Sequence, residues 1–304
     1  MTDTPTLTSP TLPSPTLPRV RSWLFAPGDS EKKMVKAIAS EADIALLDLE
    51  DSVSPENKAA ARELVAAAIA NAEDRSRVWV RVNPLSGEWT AADLDAVVPA
   101  RPGGIFLPKA EGGHDVATLD AMLSAHEAEA GIAAGSIKVA ALVTETAAAM
   151  FTTGTYAGAP RLVAMSWGAE DLSSELGARE QRGADGEYTH VFEMARSLCL
   201  LGAVKAGVAP IETVQPEFRD LDKLAERARR VRAQGFRGML AIHPAQVAPI
   251  NAAFTPSPEE LAHARAVVQA FSDNPGAGVV ALDGTMLDRP HLVLAQRLLA
   301  EAGE

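Results

Sequence analysis

Asp48, Glu50, Asp51, Arg81, Lys109, Glu145, Asp171 and His243 share one placement: each closes or closely follows a short apolar run. Carboxylates, a guanidinium and an ammonium at such ends could hold a metal ion, clamp an anionic substrate or move protons. Glu145 and Asp171, read as two exposed rim carboxylates with few other protein ligands and room for water or substrate oxygens, suit octahedral Mg²⁺. The competing reading makes Glu145 a cap for the next helix and Asp171 a cap for DLSSELG. Arg81 closes a run otherwise built from Val78, Val80 and Val82. Its planar fork could grip a substrate carboxylate or pair with the acids of DLED, and the two roles are compatible if those acids orient it. Glu170 points elsewhere on an extended backbone and is not read as a ligand.

The first run carries a different signal. After Phe25 to Gly28 the chain turns, and Lys32 and Lys36 come next at a spacing of four, which puts both ammonium groups on one helix face. With a helix N-terminus they could hold phosphates, or they could be a solvated face. The chain has neither a GxGxxG nor a Walker loop. His243, in AIHP, either contacts a ligand or is a satisfied rim histidine.

Eight runs must position these groups: Ser22 to Gly28, Ile44 to Asp51, Val78 to Asn83, Gly104 to Lys109, Lys138 to Glu145, Arg161 to Asp171, Pro210 to Gln215 and Gly238 to Pro244. Their hydrophobicity is continuous rather than alternating, which suits strands buried on both faces, and amphipathic stretches separate them. The pattern predicts a parallel (β/α)8 TIM barrel, where functional groups gather at the C-terminal ends of the strands. Between the runs, Ser30 is placed as a helix N-cap and Pro55 opens a second helix. Helical spacing covers Leu119 to Ala130, Leu221 to Ala233 and Tyr188 to Lys205, the last with Val191, Ala195, Leu198 and Leu201 facing inward. Residues 1–18, rich in Pro, Thr and Ser, are expected to be disordered. Residues 19–254 form the barrel, and 255–304 a C-terminal helical extension too apolar to float free, packing on the barrel or on a neighbouring subunit.

With 304 residues, 47% of them hydrophobic, the chain can close one barrel of the usual ~250 residues and keep roughly 50 for appendages. A net charge of −12 argues against nucleic acid and anionic membranes as general partners. No apolar run approaches the ~20 residues of a membrane span. A single cysteine, Cys199 in an apolar stretch, forms no intrachain disulfide and fits a reducing cytoplasm.

RSWLFAPGDSEKKMVKA, LLDLEDSVSPENKAAAR, VRVNPLSG, GIFLPKAE, VTETAAA, WGAEDLSSELGA, AIHPAQV and DGTMLDRPHLVLAQ succeed one another in order from about Arg21 to Ala300. This series resembles the citrate lyase β-subunit-like CoA-ester lyases of the HpcH/HpaI aldolase superfamily, which include malyl-CoA and citramalyl-CoA lyases. The resemblance implies Mg²⁺, with Mn²⁺ as a substitute, on Glu145 and Asp171. It implies a substrate role for Arg81 and CoA contacts from Phe25, Lys32 and Lys36. Asp288 matches the position that reaches into a neighbouring subunit's site as acid/base. Its local alternative is a cap before Arg289 and Pro290. Where Glu212 stands the family often carries Asp, so the contacts of the seventh strand depart from the pattern.

The expected reaction is Mg²⁺-dependent cleavage, or formation, of the carbon–carbon bond of a 3-hydroxy-acid CoA thioester, with glyoxylate or pyruvate as the 2-oxo acid. Sharing Asp288 between subunits implies a homo-oligomer, a trimer or hexamer. Two alternatives stay open. One is a metal-dependent aldolase on free 2-oxo acids, indifferent to Lys32 and Lys36. The other is a citrate lyase β-type subunit that turns over only inside a complex with an acyl-carrier partner.

Overall fold

The computed structural model of the protein describes residues 20–304, so the stretch expected to be disordered lies outside the described residues. The chain divides into two compact units, one ending at Asn251 and the other spanning Ala252–Glu304.

The first unit is built from β1 (Ser22–Pro27), α1 (Glu31–Ile38), β2 (Ile44–Asp48), α2 (Lys58–Ala70), β3 (Val78–Arg81), α3 (Thr90–Val97), β4 (Gly104–Leu107) and α4 (Gly113–Glu129). It continues through β5 (Lys138–Leu142), α5 (Ala147–Met150), β6 (Leu162–Ser166), α6 (Glu170–Leu176), α7 (His190–Ala206) and β7 (Ala209–Glu212). It ends with α8 (Leu221–Ala233), β8 (Gly238–Ala241) and most of α9 (Val247–Ala253), whose last two residues fall in the second unit. The eight strands pair in sequence order, and β8 returns to β1 through Ser22 opposite Met239, closing a parallel (β/α)8 barrel. Continuous apolar runs are what such strands need, because one face meets the barrel interior and the other the helices. Trp23, Trp79 and Phe106 fill the interior, with the two indoles edge to face at 5.0 Å.

Parallel register decides which strand ends stand side by side at the rim. Asp48, the last residue of β2, lies directly opposite Arg81, the last of β3. On α7 the sequence expectation needs correcting: Ala195 faces inward, but Val191 and Leu201 are exposed, and the buried face is Phe192, Ala195, Cys199, Gly202 and Ala203. Exposed Val191, Met194, Leu201 and Val204 extend the apolar surface beyond the buried stripe, so the phase could not be read from apolar spacing alone.

The second unit contains α10 (Pro258–Ser272), β9 (Val279–Leu282), β10 (Thr285–Asp288) and α11 (Arg289–Ala302). Ser257 caps α10 through a reciprocal pair with Glu260. Between the two helices the chain makes an antiparallel hairpin as well. Its turn is Asp283–Gly284, both at positive φ, the conformation that makes Asp-Gly a two-residue hairpin turn. Val267, Phe271, Val280, Leu287 and Ala295 form this unit's own core.

Candidate active site at the barrel rim

The DLED loop leaves β2 with its side chains fixed. Asp48 accepts hydrogen bonds from the backbone N–H groups of Glu50 (2.9 Å) and Ser52 (3.2 Å). It also receives the Arg81 fork, Nε to Oδ1 at 2.7 Å and Nη2 to Oδ2 at 2.8 Å. Burial raises the Asp48 pKa, but the adjacent guanidinium outweighs it and holds the carboxyl below its usual range. From beneath, the buried Lys58 ammonium donates to the carbonyls of Leu49 (2.6 Å) and Glu50 (2.8 Å) and to Asn83 Oδ1 (2.7 Å). A buried cation with three acceptors locks the backbone that carries Glu50.

The third nitrogen of Arg81, Nη1, lies 2.9 Å from Glu50 Oε2 and 3.5 Å from Asp51 Oδ2. Glu50 Oε2 is buried and accepts no hydrogen bond, so the 2.9 Å approach is an ion pair without hydrogen-bond alignment. Arg81 therefore pairs with the DLED acids, as one of the two sequence readings has it. Its guanidinium also lies over the Phe25 ring, 4.9 Å from the centroid.

Lys109 joins this cluster to Glu145 and Asp171. Its Nζ lies 2.6 Å from Glu50 Oε1 and 2.9 Å from Asp171 Oδ1, and its backbone N–H donates to Glu145 Oε2 at 2.6 Å. Contrary to the expectation of two exposed carboxylates, Glu145 is buried, while Asp171 is partly exposed. Gly168 explains why: a Cβ there would come within 2.7 Å of Glu145 Cγ, so only glycine lets the β6 loop close over this side chain. Burial, then the charges of Glu50 and Asp171, push the Glu145 pKa up to about 8. Neither carboxylate occupies an N-cap. Thr146 caps α5 through Ala149 N–H, and Ala169 stands at the N-cap of α6 with Asp171 in its first turn. Glu170 turns away to accept from Gln181.

Five carboxylates, Asp48, Glu50, Asp51, Glu145 and Asp171, thus surround two cations, Arg81 and Lys109. A buried carboxylate oxygen without a hydrogen bond, close to the oxygens of Glu145 and Asp171, fits an oxygen-ligated divalent cation. Among the described residues no three acidic, His or Cys side chains are placed to cage an ion by themselves. An ion held by one or two carboxylates completes its shell with water and substrate oxygens, the habit of Mg²⁺.

Lys32 and Lys36 are exposed on α1. His243 is exposed, stacked on Phe218 at 4.8 Å, and accepts from Ala245 N–H. Glu212 is fully buried, bound to Arg227 of α8 and to Trp167 Nε1 at 3.1 Å, so this residue braces the wall beneath the rim. In the second unit, half-exposed Asp288 has its Oδ1 2.6 Å from His291 Nδ1 at the start of α11, in line with the local capping alternative. A cleft of about 340 Å³ beside α6 is lined by Ser173, Arg179, Arg182, Tyr188 and Glu217 among others, and none of the clustered residues borders it. Sequence reasoning assigns no role to Lys58 or Gly168 and groups Lys109 with the other strand-end residues without a role of its own. Lys109 stands at the same strand-end position as the acids, and that is the signal available for it.

Among the described residues no helix is long and apolar enough to cross a membrane. The profile of the HpcH/HpaI aldolase/citrate lyase family matches residues 21–244. A citrate lyase subunit beta-like protein of Mycobacterium tuberculosis is 36% identical over 93% of this chain and 95% of its own. A (3S)-malyl-CoA thioesterase of Cereibacter sphaeroides is 34% identical over 93% and 94%. The crystal structure of M. tuberculosis CitE in complex with magnesium, acetoacetate and coenzyme A superposes with a TM-score of 0.76 at 35% identity, covering 94% of this chain and 99% of that one. A family profile over most of the chain, and relatives matched nearly end to end, agree with a barrel whose strand ends carry the acids and bases: this chain belongs to the HpcH/HpaI aldolase/citrate lyase family, and it is a carbon–carbon lyase.

Proposed function

We propose that the protein is a Mg²⁺-dependent CoA-ester lyase that cleaves, or forms, the carbon–carbon bond of a 3-hydroxy-acid CoA thioester such as malyl-CoA or citramalyl-CoA. The observation that carries this reading is the rim cluster, where Glu145 and Asp171 meet beside Arg81 with carboxylates in excess. The magnesium and coenzyme A bound to the related M. tuberculosis protein support it.

Glu145 and Asp171 are the residues that would hold Mg²⁺, or Mn²⁺ in its place. When bound, the ion supplies Lewis-acid stabilisation of developing oxygen charge. Arg81, fixed by Asp48, presents Nη1 to the carboxylate of the 2-oxo-acid portion, glyoxylate or pyruvate, and Phe25 backs its guanidinium plane. Lys32 and Lys36, with the N-terminus of α1, attract the CoA phosphates. His243 lies on an exposed ring stack suited to a ligand edge. Cleavage passes the hydroxyl proton to water, breaks the bond between the carbinol carbon and the thioester α-carbon, and leaves the electron pair on the latter. Asp288 of a neighbouring subunit relays a proton from water to that carbon, so the two proton movements cancel.

A homo-oligomer, trimer or hexamer, is the consequence of that sharing. Exposed Val191, Met194, Leu201 and Val204 along α7, with Phe151 91% exposed, give this unit apolar surface suited to subunit packing. The deciding experiment is a panel of malyl-, methylmalyl-, citramalyl- and citryl-CoA assayed with Mg²⁺ for both the acyl-CoA and the 2-oxo-acid product. Release of both from at least one ester supports the reading. Turnover of free 2-oxo acids with aldehydes, unaffected by changes at Lys32 and Lys36, replaces it with an aldolase. Thioester hydrolysis without carbon–carbon cleavage, or no turnover by the purified chain, also overturns it.

A further inference from the structure

Lys109 is held in the rim cluster by both its side chain and its backbone. Its ammonium bridges Glu50 (2.6 Å) and Asp171 (2.9 Å), and its N–H bonds Glu145 (2.6 Å). To do so the residue adopts φ +50°, a left-handed torsion that is unfavourable for a side chain with a Cβ. Strain of this kind persists where surrounding contacts enforce it. Here the enforcing contacts are three acids that would otherwise repel one another at short range. Arg81 reaches Glu50 and Asp51 through Nη1 but does not bridge to Asp171, because its other two nitrogens are engaged by Asp48. The Lys109 side chain remains about one-quarter exposed, on a flexible four-carbon stem, so it has a path out of the cluster.

We propose that the Lys109 ammonium is a built-in counter-cation of the rim site, which holds Glu50 and Asp171 together in the metal-free protein and competes with a divalent cation for Asp171. The inference rests on the reading of Glu145 and Asp171 as the cation's ligands. Its consequence is thermodynamic. Loading the site means giving up the Lys109–Asp171 pair and placing like charges near one another, so the lysine weakens cation binding and sets the concentration at which the site fills. In exchange, the acids stay together when no ion is present.

The test is Mg²⁺ titration of the full chain by calorimetry without substrate, in wild type, Lys109→Met and Lys109→Arg. Removing the charge should tighten Mg²⁺ binding at least about ten-fold, equivalent to about 1.4 kcal/mol. It should also lower the melting temperature of the metal-free protein and enlarge the rise that Mg²⁺ produces. Lys109→Arg, which keeps the charge, should bind close to wild type. A second measurement needs no variant: mass-spectrometric acetylation of wild type, where Mg²⁺ should raise the reactivity of Lys109 by freeing its amine from Asp171. Equal or weaker Mg²⁺ binding in folded Lys109→Met, or Lys109 reactivity that Mg²⁺ leaves unchanged or lowers, overturns this inference alone. Failure of wild type to bind Mg²⁺ overturns the ligand assignment and the inference together.

Discussion

Replacing Arg81 by lysine keeps the charge and removes the fork, and the geometry sets what that costs. Arg81 spans both oxygens of Asp48 at 2.7 and 2.8 Å and aims its third nitrogen at Glu50 and Asp51. A lysine ammonium is a point donor and cannot span both Asp48 oxygens while also reaching outward. At least one charge-assisted hydrogen bond is lost, and each is worth about 1.5–3 kcal/mol. Solvent replaces little of it, since the Arg81 side chain is 12% and that of Asp48 3% exposed. Unfolding free energy should fall by about 1.5–3 kcal/mol, measured by urea titration of the metal-free protein. At saturating Mg²⁺, kcat/KM for the preferred CoA ester should fall at least about ten-fold, the equivalent of 1.4 kcal/mol in the transition state. Asp48→Asn, which leaves the fork one neutral oxygen, should lose part of both. Lost stability with unchanged kcat/KM in Arg81→Lys would confine Arg81 to holding the acidic loop and refute its role as the carboxylate clamp.

Glu145→Gln and Asp171→Asn should each retain the circular dichroism of the fold, weaken Mg²⁺ binding and cut turnover at least about 100-fold, given the several kcal/mol a metal contributes; wild-type Mg²⁺ affinity in both would remove them as ligands. Mixing inactive Asp288→Ala and Glu145→Ala chains under conditions of subunit exchange should restore partial activity, and no recovery despite demonstrated exchange would place Asp288 outside a neighbour's site. Glu127, fully buried on α4, accepts from Arg161 and from the backbone N–H of Gly135 and Ile137. Burial raises its pKa, but these partners outweigh it and leave the net shift downward, so its stabilisation is present above the ordinary glutamate value of about 4.3 and is lost as pH falls through the lower folded value. Glu127→Gln should cost about 1–3 kcal/mol at neutral pH, with the gap to wild type closing in acid; a gap independent of pH would contradict the sign.

The barrel is legible in the sequence, because eight continuous apolar runs separated by amphipathic stretches leave few other ways to bury a parallel sheet. So is the placement of Asp48, Arg81, Glu145 and Asp171 on one rim, since strand ends in such a fold converge whatever lies between them. The pairings among them arise only in the folded chain. The Asp48–Arg81 fork depends on the register of β2 against β3, and Glu145 is buried because Gly168 lets a loop from the next strand close over it. Neither is encoded in local spacing. The outward face of α7 is hidden from the sequence for a related reason: its apolar residues run past the buried stripe to Val191, Met194, Leu201 and Val204, so only tertiary contacts choose the buried side. Lys109 shows the same limit at the level of charge. Its residue type and strand-end position are visible in the sequence, but its place among Glu50, Glu145 and Asp171 arises only when separate strand ends meet in space.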